Sequence, residues 1–156
     1  MTTETHDAIV NQQFSPQAQA YLQSAVHAQG SDLDDMAQQV GQQPRATALD
    51  LGCGGGHVAF RLAPLVNLVV AYDPSHAMLD VVADEAQRRG LRNVVTKHGA
   101  AETLPCASES FDIAVSRYSA HHWGDVPAGL AQMRRVMKAG GQALIMDVIS
   151  PGAPLQ

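Results

Sequence analysis

A doubly wound α/β fold, built on a mainly parallel sheet with helices on both faces, is the architecture this sequence predicts. Three observations carry it. After Pro44, short apolar runs alternate with segments of helical period, which is the texture of βαβ units. The first apolar run ends in a glycine-rich loop that opens a helix. A chain of 156 residues, 46% apolar and 16% charged, is long enough for one real core and short for two.

The elements follow in order. Ser15 and Pro16 start a helix, with Ala18, Tyr21, Leu22, Ala25 and Val26 at helical spacing, stopped by Gly30. Ser31 starts a second helix through Leu33, Met36, Ala37 and Val40, ended by Gly41 and Pro44. Strand one is expected at residues 47–51, the next helix at 56–63, and strand two at 68–72. Ser75 caps a helix whose buried stripe is Met78, Val81, Val82 and Ala86, ended by Gly90. Strand three is expected at 93–97 and strand four at 111–116. Asp125 caps a helix bearing Val126, Leu130, Met133, Val136 and Met137, after which Gly140 and Gly141 turn the chain into strand five at 143–149. The organisation is therefore a helical cap at 1–45, a core at 46–150 and a tail at 151–156.

Composition excludes several functions. Ten Lys and Arg stand against fifteen Asp and Glu, a formal charge of −5, and no basic run exceeds Arg88–Arg89 or Arg134–Arg135. No nucleic-acid partner is expected. Cys53 and Cys106 are far apart, with no spacing that reads as a disulfide framework or a zinc site, so no metal is expected. The N-terminus is polar and acidic, and the apolar stretch 62–72 is interrupted by Pro64 and Asn67. A cytoplasmic protein with no integral membrane segment is expected.

In a doubly wound sheet, ligands sit beyond the carboxyl ends of the strands, so the residues after each strand are the site candidates. After strand one stands Asp50-Leu51-Gly52-Cys53-Gly54-Gly55-Gly56. Glycines there allow positive φ and close approach of a ligand to the backbone. Two cofactor classes use such a loop. A nicotinamide dinucleotide is compatible with Gly54, Gly56 and Ala59 in G-x-G-x-x-G/A spacing. S-adenosylmethionine, which carries an ammonium and a sulfonium instead of a pyrophosphate, makes better use of the acid at Asp50. A tight turn alone needs fewer glycines and no acid. Asp73, after strand two, suits the ribose hydroxyls of an adenosine in either class; its bland reading is a turn residue in Tyr-Asp-Pro-Ser.

Taken together, Ala-Leu-Asp-Leu-Gly-Cys-Gly-Gly-Gly-His (48–57), Ala-Tyr-Asp-Pro-Ser-His-Ala-Met-Leu (71–79), Gly-Ala-Ala-Glu-Thr-Leu-Pro (99–105), the stretch 110–123 ending Ala-His-His-Trp, and Arg-Val-Met-Lys-Ala-Gly-Gly (135–141) resemble one family. It is the class I S-adenosylmethionine-dependent methyltransferases, in the small-molecule branch similar to the UbiE-type C-methyltransferases of quinone biosynthesis. The resemblance implies a Rossmann-like fold, with S-adenosyl-L-methionine as cofactor and S-adenosyl-L-homocysteine as product. It implies that Asp50, Leu51, Gly52 and Gly54 shape the methionine end, with Cys53 packed beneath the cofactor. Asp73 would hold the ribose, with Pro74, Ser75 and Met78 beside the adenosine. Ala101 and Glu102 would address the adenine, Arg117 would present its backbone to the methionine portion, and Tyr21 would close over the cofactor or pack in the core. Ala100 stands where the family often has Asp, and Ala139 where it often has Pro. The family's full fold continues past strand five with a helix and an antiparallel hairpin. This chain is expected to lack that hairpin as a truncation, leaving strand five as an edge open to pairing in a homo-oligomer.

Methyl transfer from a sulfonium needs alignment more than a nucleophile. A base helps where the acceptor loses a proton, and His121 and His122 are the candidates for that catalytic role, one of them alternatively a structural partner of Asp125. His57, at a helix N-terminus, reads as a neutral packing residue. The acceptor is expected to be a small molecule, with Trp123 and Met133 tilting it towards an apolar one. Two other functions compete: a nicotinamide-binding oxidoreductase, and a module that binds the cofactor without catalysis.

Overall fold

Alternation of apolar residues along each strand divides the core into two layers, one on each face of the sheet. The computed structural model describes residues 30–147. Its elements are α1 (Ser31–Val40), β1 (Gln43–Leu51), α2 (His57–Leu62), β2 (Val66–Asp73), α3 (His76–Arg88), β3 (Val94–His98), β4 (Phe111–Arg117), a 3-10 turn (Ala120–His122), α4 (Val126–Val136) and β5 (Met137–Met146). Residues 1–29, on which the first expected helix and Tyr21 fall, and residues 148–156 lie outside the described residues.

The five strands are ordered β3-β2-β1-β4-β5, and every pairing is parallel. No antiparallel hairpin follows β4 among the described residues, and β5 forms one edge. Ala48, Val69, Ala71, Ile113 and Val115 face the layer filled from α1, α2 and α3 by Leu33, Val58, Leu62 and Val82. Their neighbours Leu49, Leu51, Val70, Tyr72 and Ala114 face the other layer, against Met133 and Val136 of α4 and Leu104 of the preceding loop. Residues one apart pointing to opposite faces is the strand period acting on a sheet buried on both sides. Leu33, Met36 and Val40 of α1 belong to the first layer, so this helix is built into the core. Met133 is core as well, and leaves the apolar wall of any ligand site to other residues.

Local chemistry sets the element ends. Ser75 is the N-cap of α3, its hydroxyl accepting the Met78 N–H at 3.2 Å, and Asp125 does the same for Ala128 at the start of α4. Ser75 is fully buried. Ser75→Ala is expected to lower stability by about 1 kcal/mol, seen as a lower urea midpoint with an unchanged slope. The cap of α1 is Gly30 and not Ser31, which is already helical and makes no capping bond.

Two strands begin four or more residues ahead of their apolar patterns. The β1 strand begins at Gln43 because the Gln43 N–H is donated to the Leu65 carbonyl at 2.8 Å, and the Asp112 carboxylate accepts the Thr47 N–H at 2.9 Å where the ladder slips past Pro44. The β5 strand begins at Met137, directly after α4, and includes the glycine pair expected to precede it. Phe111 pairs with Met137 but Ile113 with Gln142, so the extra residues form a bulge at which Gly140 takes φ 76°. The strand ends at Met146, short of the expected residue 149.

Candidate functional site

The strand order reverses direction between β1 and β4, and a cleft opens there, beyond the carboxyl ends of the strands. It encloses about 600 Å³ of space including its open mouth, within the range of small-ligand sites. Leu51, Gly52 and Gly54 form its floor after β1, and Asp73, Pro74 and Met78 one side after β2. Gly99, Ala101 and Glu102 follow β3, and Tyr118, Ser119, His122 and Trp123 follow β4.

Gly52 is glycine for two reasons. Its φ is +72°, and a Cβ there would lie 1.7 Å from the Ser119 Oγ and 2.6 Å from its Cβ. The loops after β1 and β4 therefore touch across the floor of the cleft. Ser119 in turn accepts the Trp123 indole N–H at 3.1 Å, and the Trp123 ring lies so close over Gly129 of α4 that a Cβ there would meet it at 2.4 Å.

Asp73 holds the glycine loop against the next turn: Oδ2 accepts the Gly54 N–H and Oδ1 the Ser75 N–H, both at 2.9 Å. The same carboxylate lines the cleft, where it is placed to meet hydroxyl donors of a ligand. Asp50, one strand over, is 1% exposed and sits beneath the loop, its Oδ2 accepting the Ala59 N–H at 3.1 Å. Burial, and then the charge of Asp73, push its carboxyl up to about 7, against the Ala59 N–H and Arg117. Cys53 is buried under the same loop, its thiol pushed up by burial and by Asp73 and Asp50. It is packing, not a thiolate.

Several amides of this loop are bonded within the protein. Cys53 N–H is donated to the Tyr72 carbonyl, Gly56 N–H to the Cys53 carbonyl and Gly54 N–H to Asp73. With Ala59 N–H on Asp50, these four donors are committed within the protein. The residues present fit a cationic or neutral cofactor with a diol and an apolar base: a carboxylate at the end of β2, Glu102 beyond β3, and Leu51, Met78, Ala101 and Trp123 as apolar walls.

A methyltransferase domain family matches the chain over residues 49–145. This chain belongs to that family. It is 51% identical to the uncharacterized protein YafE of Escherichia coli (strain K12) over 105 residues, which is 67% of this chain and 51% of that protein. It is 36% identical over 142 residues to the uncharacterized methyltransferase YcgJ of Bacillus subtilis (strain 168), covering 91% of this chain and 56% of YcgJ. The crystal structure of YcgJ superposes with a TM-score of 0.73 at 35% identity, over 75% of this chain and 50% of that one. The 2-phytyl-1,4-naphtoquinone methyltransferase of Synechococcus elongatus is 37% identical over 117 residues, 72% of this chain and 50% of that enzyme. The chain spans about half the length of these relatives.

Within this class I methyltransferase domain, the cleft gathers Leu51, Gly52, Gly54, Asp73, Pro74, Met78, Ala101, Glu102 and His122 from the residues singled out in the sequence. Asp50, Cys53 and Ser75 lie one shell deeper. Tyr21 lies outside the described residues. The Arg117 side chain turns to α1 instead of the cleft: Nε and Nη2 reach the Asp32 carboxylate at 2.6 and 3.1 Å, and the guanidinium lies 4.4 Å above the Tyr118 ring. Tyr118 itself takes φ 56°, which turns the chain sharply after β4. His57 is buried edge-on to Phe60. The two histidines after β4 part company: His122 lines the cleft, while His121 is directed to Asp147.

Sequence reading missed three supports of the site. Asp32 anchors Arg117. Gln132 accepts the Leu104 N–H at 3.2 Å, and Arg135 donates to the Leu104 and Cys106 carbonyls at 2.9 Å each, so α4 holds the loop that carries Ala101 and Glu102. Asp147 is the third. Only Arg135 carried a signal in the sequence, as a cation in the last turn of a helix. Among the described residues, no cluster of three or more metal-ligating side chains forms, and no helix is long and apolar enough to cross a membrane.

Proposed function

We propose that this domain binds S-adenosyl-L-methionine in the cleft and transfers its methyl group to a small, largely apolar acceptor, leaving S-adenosyl-L-homocysteine. The observation that carries the reading is the pairing of Asp73, at the end of β2, with a glycine loop that has a second buried acid, Asp50, beneath it. Asp73, which lines the cleft at the end of β2, would accept from the ribose hydroxyls. Met78 and Ala101 would enclose the adenine, with Glu102 addressing its edge and Pro74 and Ser75 shaping the turn beside it. Leu51, Gly52 and Gly54 would receive the methionine end, with Asp50 and Cys53 beneath and the Arg117 backbone opposite.

When bound, the cofactor supplies a methyl carbon already activated on a sulfonium, so the protein's task is to align the acceptor and exclude water. Trp123, on the β4 side of the cleft, gives the acceptor an apolar approach. The quinone-type acceptor named for the Synechococcus relative is of that character. His122 at the wall and His121 behind it are the groups able to take a proton there. Free thiols at Cys53 and Cys106 support a cytoplasmic setting. The edge position of β5 and its exposed Ile145 support pairing with a second copy.

Thermal unfolding with added ligand tests the reading. S-adenosylhomocysteine at about 100 times its dissociation constant is expected to add about 2.7 kcal/mol to stability, visible as a raised Tm, and NAD is expected to add nothing. A response to NAD alone would place the chain among dinucleotide-binding proteins instead.

A further inference from the structure

Residues 99–110 join β3 to β4 without a strand or a helix, and they bring Ala101 and Glu102 to the cleft. Two anchors hold them. On one side the loop wraps Tyr72: the Cys106 thiol is donated to its hydroxyl at 3.2 Å, and a Cβ on Gly99 would meet its ring at 3.1 Å. On the other side stands one guanidinium. Arg135 Nη1 donates to the Cys106 carbonyl at 2.9 Å and to the Ser108 hydroxyl at 3.3 Å, while Nη2 donates to the Leu104 carbonyl and to Gln132 Oε1, both at 2.9 Å. That Oε1 also accepts the Leu104 N–H at 3.2 Å. Leu104 is therefore held at both of its main-chain groups, two residues beyond Glu102, and its side chain belongs to the same buried cluster as Ala101 and Met133. Bridging two carbonyls at once needs the planar fork of an arginine, which a lysine ammonium does not reproduce. The neighbouring Arg134 is exposed.

We propose that Arg135 is a positioning residue for recognition of the cofactor's base: by fixing Leu104 and Cys106 it holds Ala101 and Glu102 against the adenine edge, and so sets how strongly adenine is preferred to another purine. This rests on the proposed S-adenosylmethionine site. Adenine offers an amine donor beside a ring-nitrogen acceptor, and the Glu102 carboxylate with the Ala101 main-chain N–H supplies the complementary pair. Hypoxanthine has a carbonyl in place of the amine and a proton on that ring nitrogen, so along the same edge it sets like against like. Rejecting it requires groups that stay in place, because a loop free to shift can pair again with either base. Ala100 brings no polar side chain to this edge, which leaves the reading to the placement of its two neighbours. Arg135 acts on the base only through them.

The test compares S-adenosylhomocysteine with S-inosylhomocysteine, which differs from it only in the base, by calorimetry and competition. The native chain is expected to prefer adenine by about tenfold or more. In Arg135→Lys, which keeps the charge and loses the fork, affinity for S-adenosylhomocysteine is expected to fall by about tenfold and the preference to shrink to about threefold or less, since the loop must then be ordered on binding. Arg134→Gln, which removes a charge one residue away, is expected to stay within about twofold of native in both. Amide hydrogen exchange reads the cause: in Arg135→Lys residues 101–108 are expected to exchange about tenfold faster or more, and residues 53–59 at the native rate. Gln132→Ala, which frees the Leu104 N–H, gives a second reading and is expected to move both quantities in the same direction by less. A native chain that binds S-adenosylhomocysteine without preferring adenine overturns this inference alone. So does an Arg135→Lys variant whose preference or loop exchange stays native, or one that loses both ligands equally, as a general loosening would bring. A native chain that binds neither ligand overturns the functional reading.

Discussion

Gly52→Ala is expected to weaken S-adenosylhomocysteine binding by about 100-fold and to lower stability by roughly 2–6 kcal/mol. Two costs add. The backbone at +72° is a conformation that a residue with a Cβ holds only at about 1–3 kcal/mol. The new methyl would also overlap Ser119, whose Cβ at 2.6 Å belongs to the rigid root of the side chain and cannot rotate away. Overpacking of this kind costs about 1–3 kcal/mol and is relieved by moving one loop from the other. Either loop forms the cleft floor, so relief comes at the expense of the ligand site. A displacement near 1 Å is enough for a loss of about 100-fold. A second substitution separates the two costs. In Gly52→Ala with Ser119→Gly the overlap is gone and the dihedral remains, so about half the lost stability should return, with an interaction free energy well above 0.5 kcal/mol between the two sites. Calorimetry for affinity and urea unfolding for stability decide it. Native-like binding by Gly52→Ala would mean that the two loops do not bear on each other.

The same contact shows what the sequence could and could not announce. The strands were legible because a sheet buried on both faces reads as short apolar runs, and the caps at Ser75 and Asp125 because helix starts are local chemistry. The glycine loop and the acid after β2 were legible because backbone freedom and a strand-end carboxylate have sequence signs. Contacts between distant segments have none. Nothing in Ser119 marks it as the partner of Gly52, and Asp32 gives no hint of Arg117, 85 positions on. The adjacent pair His121 and His122 looked equivalent until Asp147 drew one of them outward. Gly140 and Gly141 looked like a turn before a strand, since paired glycines usually end an element. Here they relieve a bulge, where a Cβ on Gly141 would meet the Asp112 carbonyl at 3.0 Å.

Asp50→Asn is expected to stabilise the ligand-free domain at about pH 8 by as much as about 4 kcal/mol, and to leave it close to native near pH 4. The carboxyl is pushed from its ordinary 3.8 up to about 7, first by burial and then by the charge of Asp73. Between those two values the folded chain binds a proton that the unfolded chain has released. Native stability therefore falls as pH rises through that window, by about 1.4 kcal/mol for each pH unit. Asparagine keeps a carbonyl oxygen for the Ala59 N–H and carries no charge to desolvate, so its stability should be flat across the same range. Urea midpoints of both proteins at about pH 5 and about pH 8 measure the difference, and a native midpoint that does not fall between them would show that Asp50 is ionised in the fold at no cost. A sequence that retains such a destabilising acid has a use for it, and on the proposed function the use is a cationic ligand above the loop. The positive methionine end of S-adenosylmethionine would favour the ionised form and recover on binding part of what the empty fold loses. Asp50→Asn should then raise the stability of the empty domain and, at about pH 8, weaken the binding of S-adenosylmethionine, two effects of opposite sign from the removal of one buried charge.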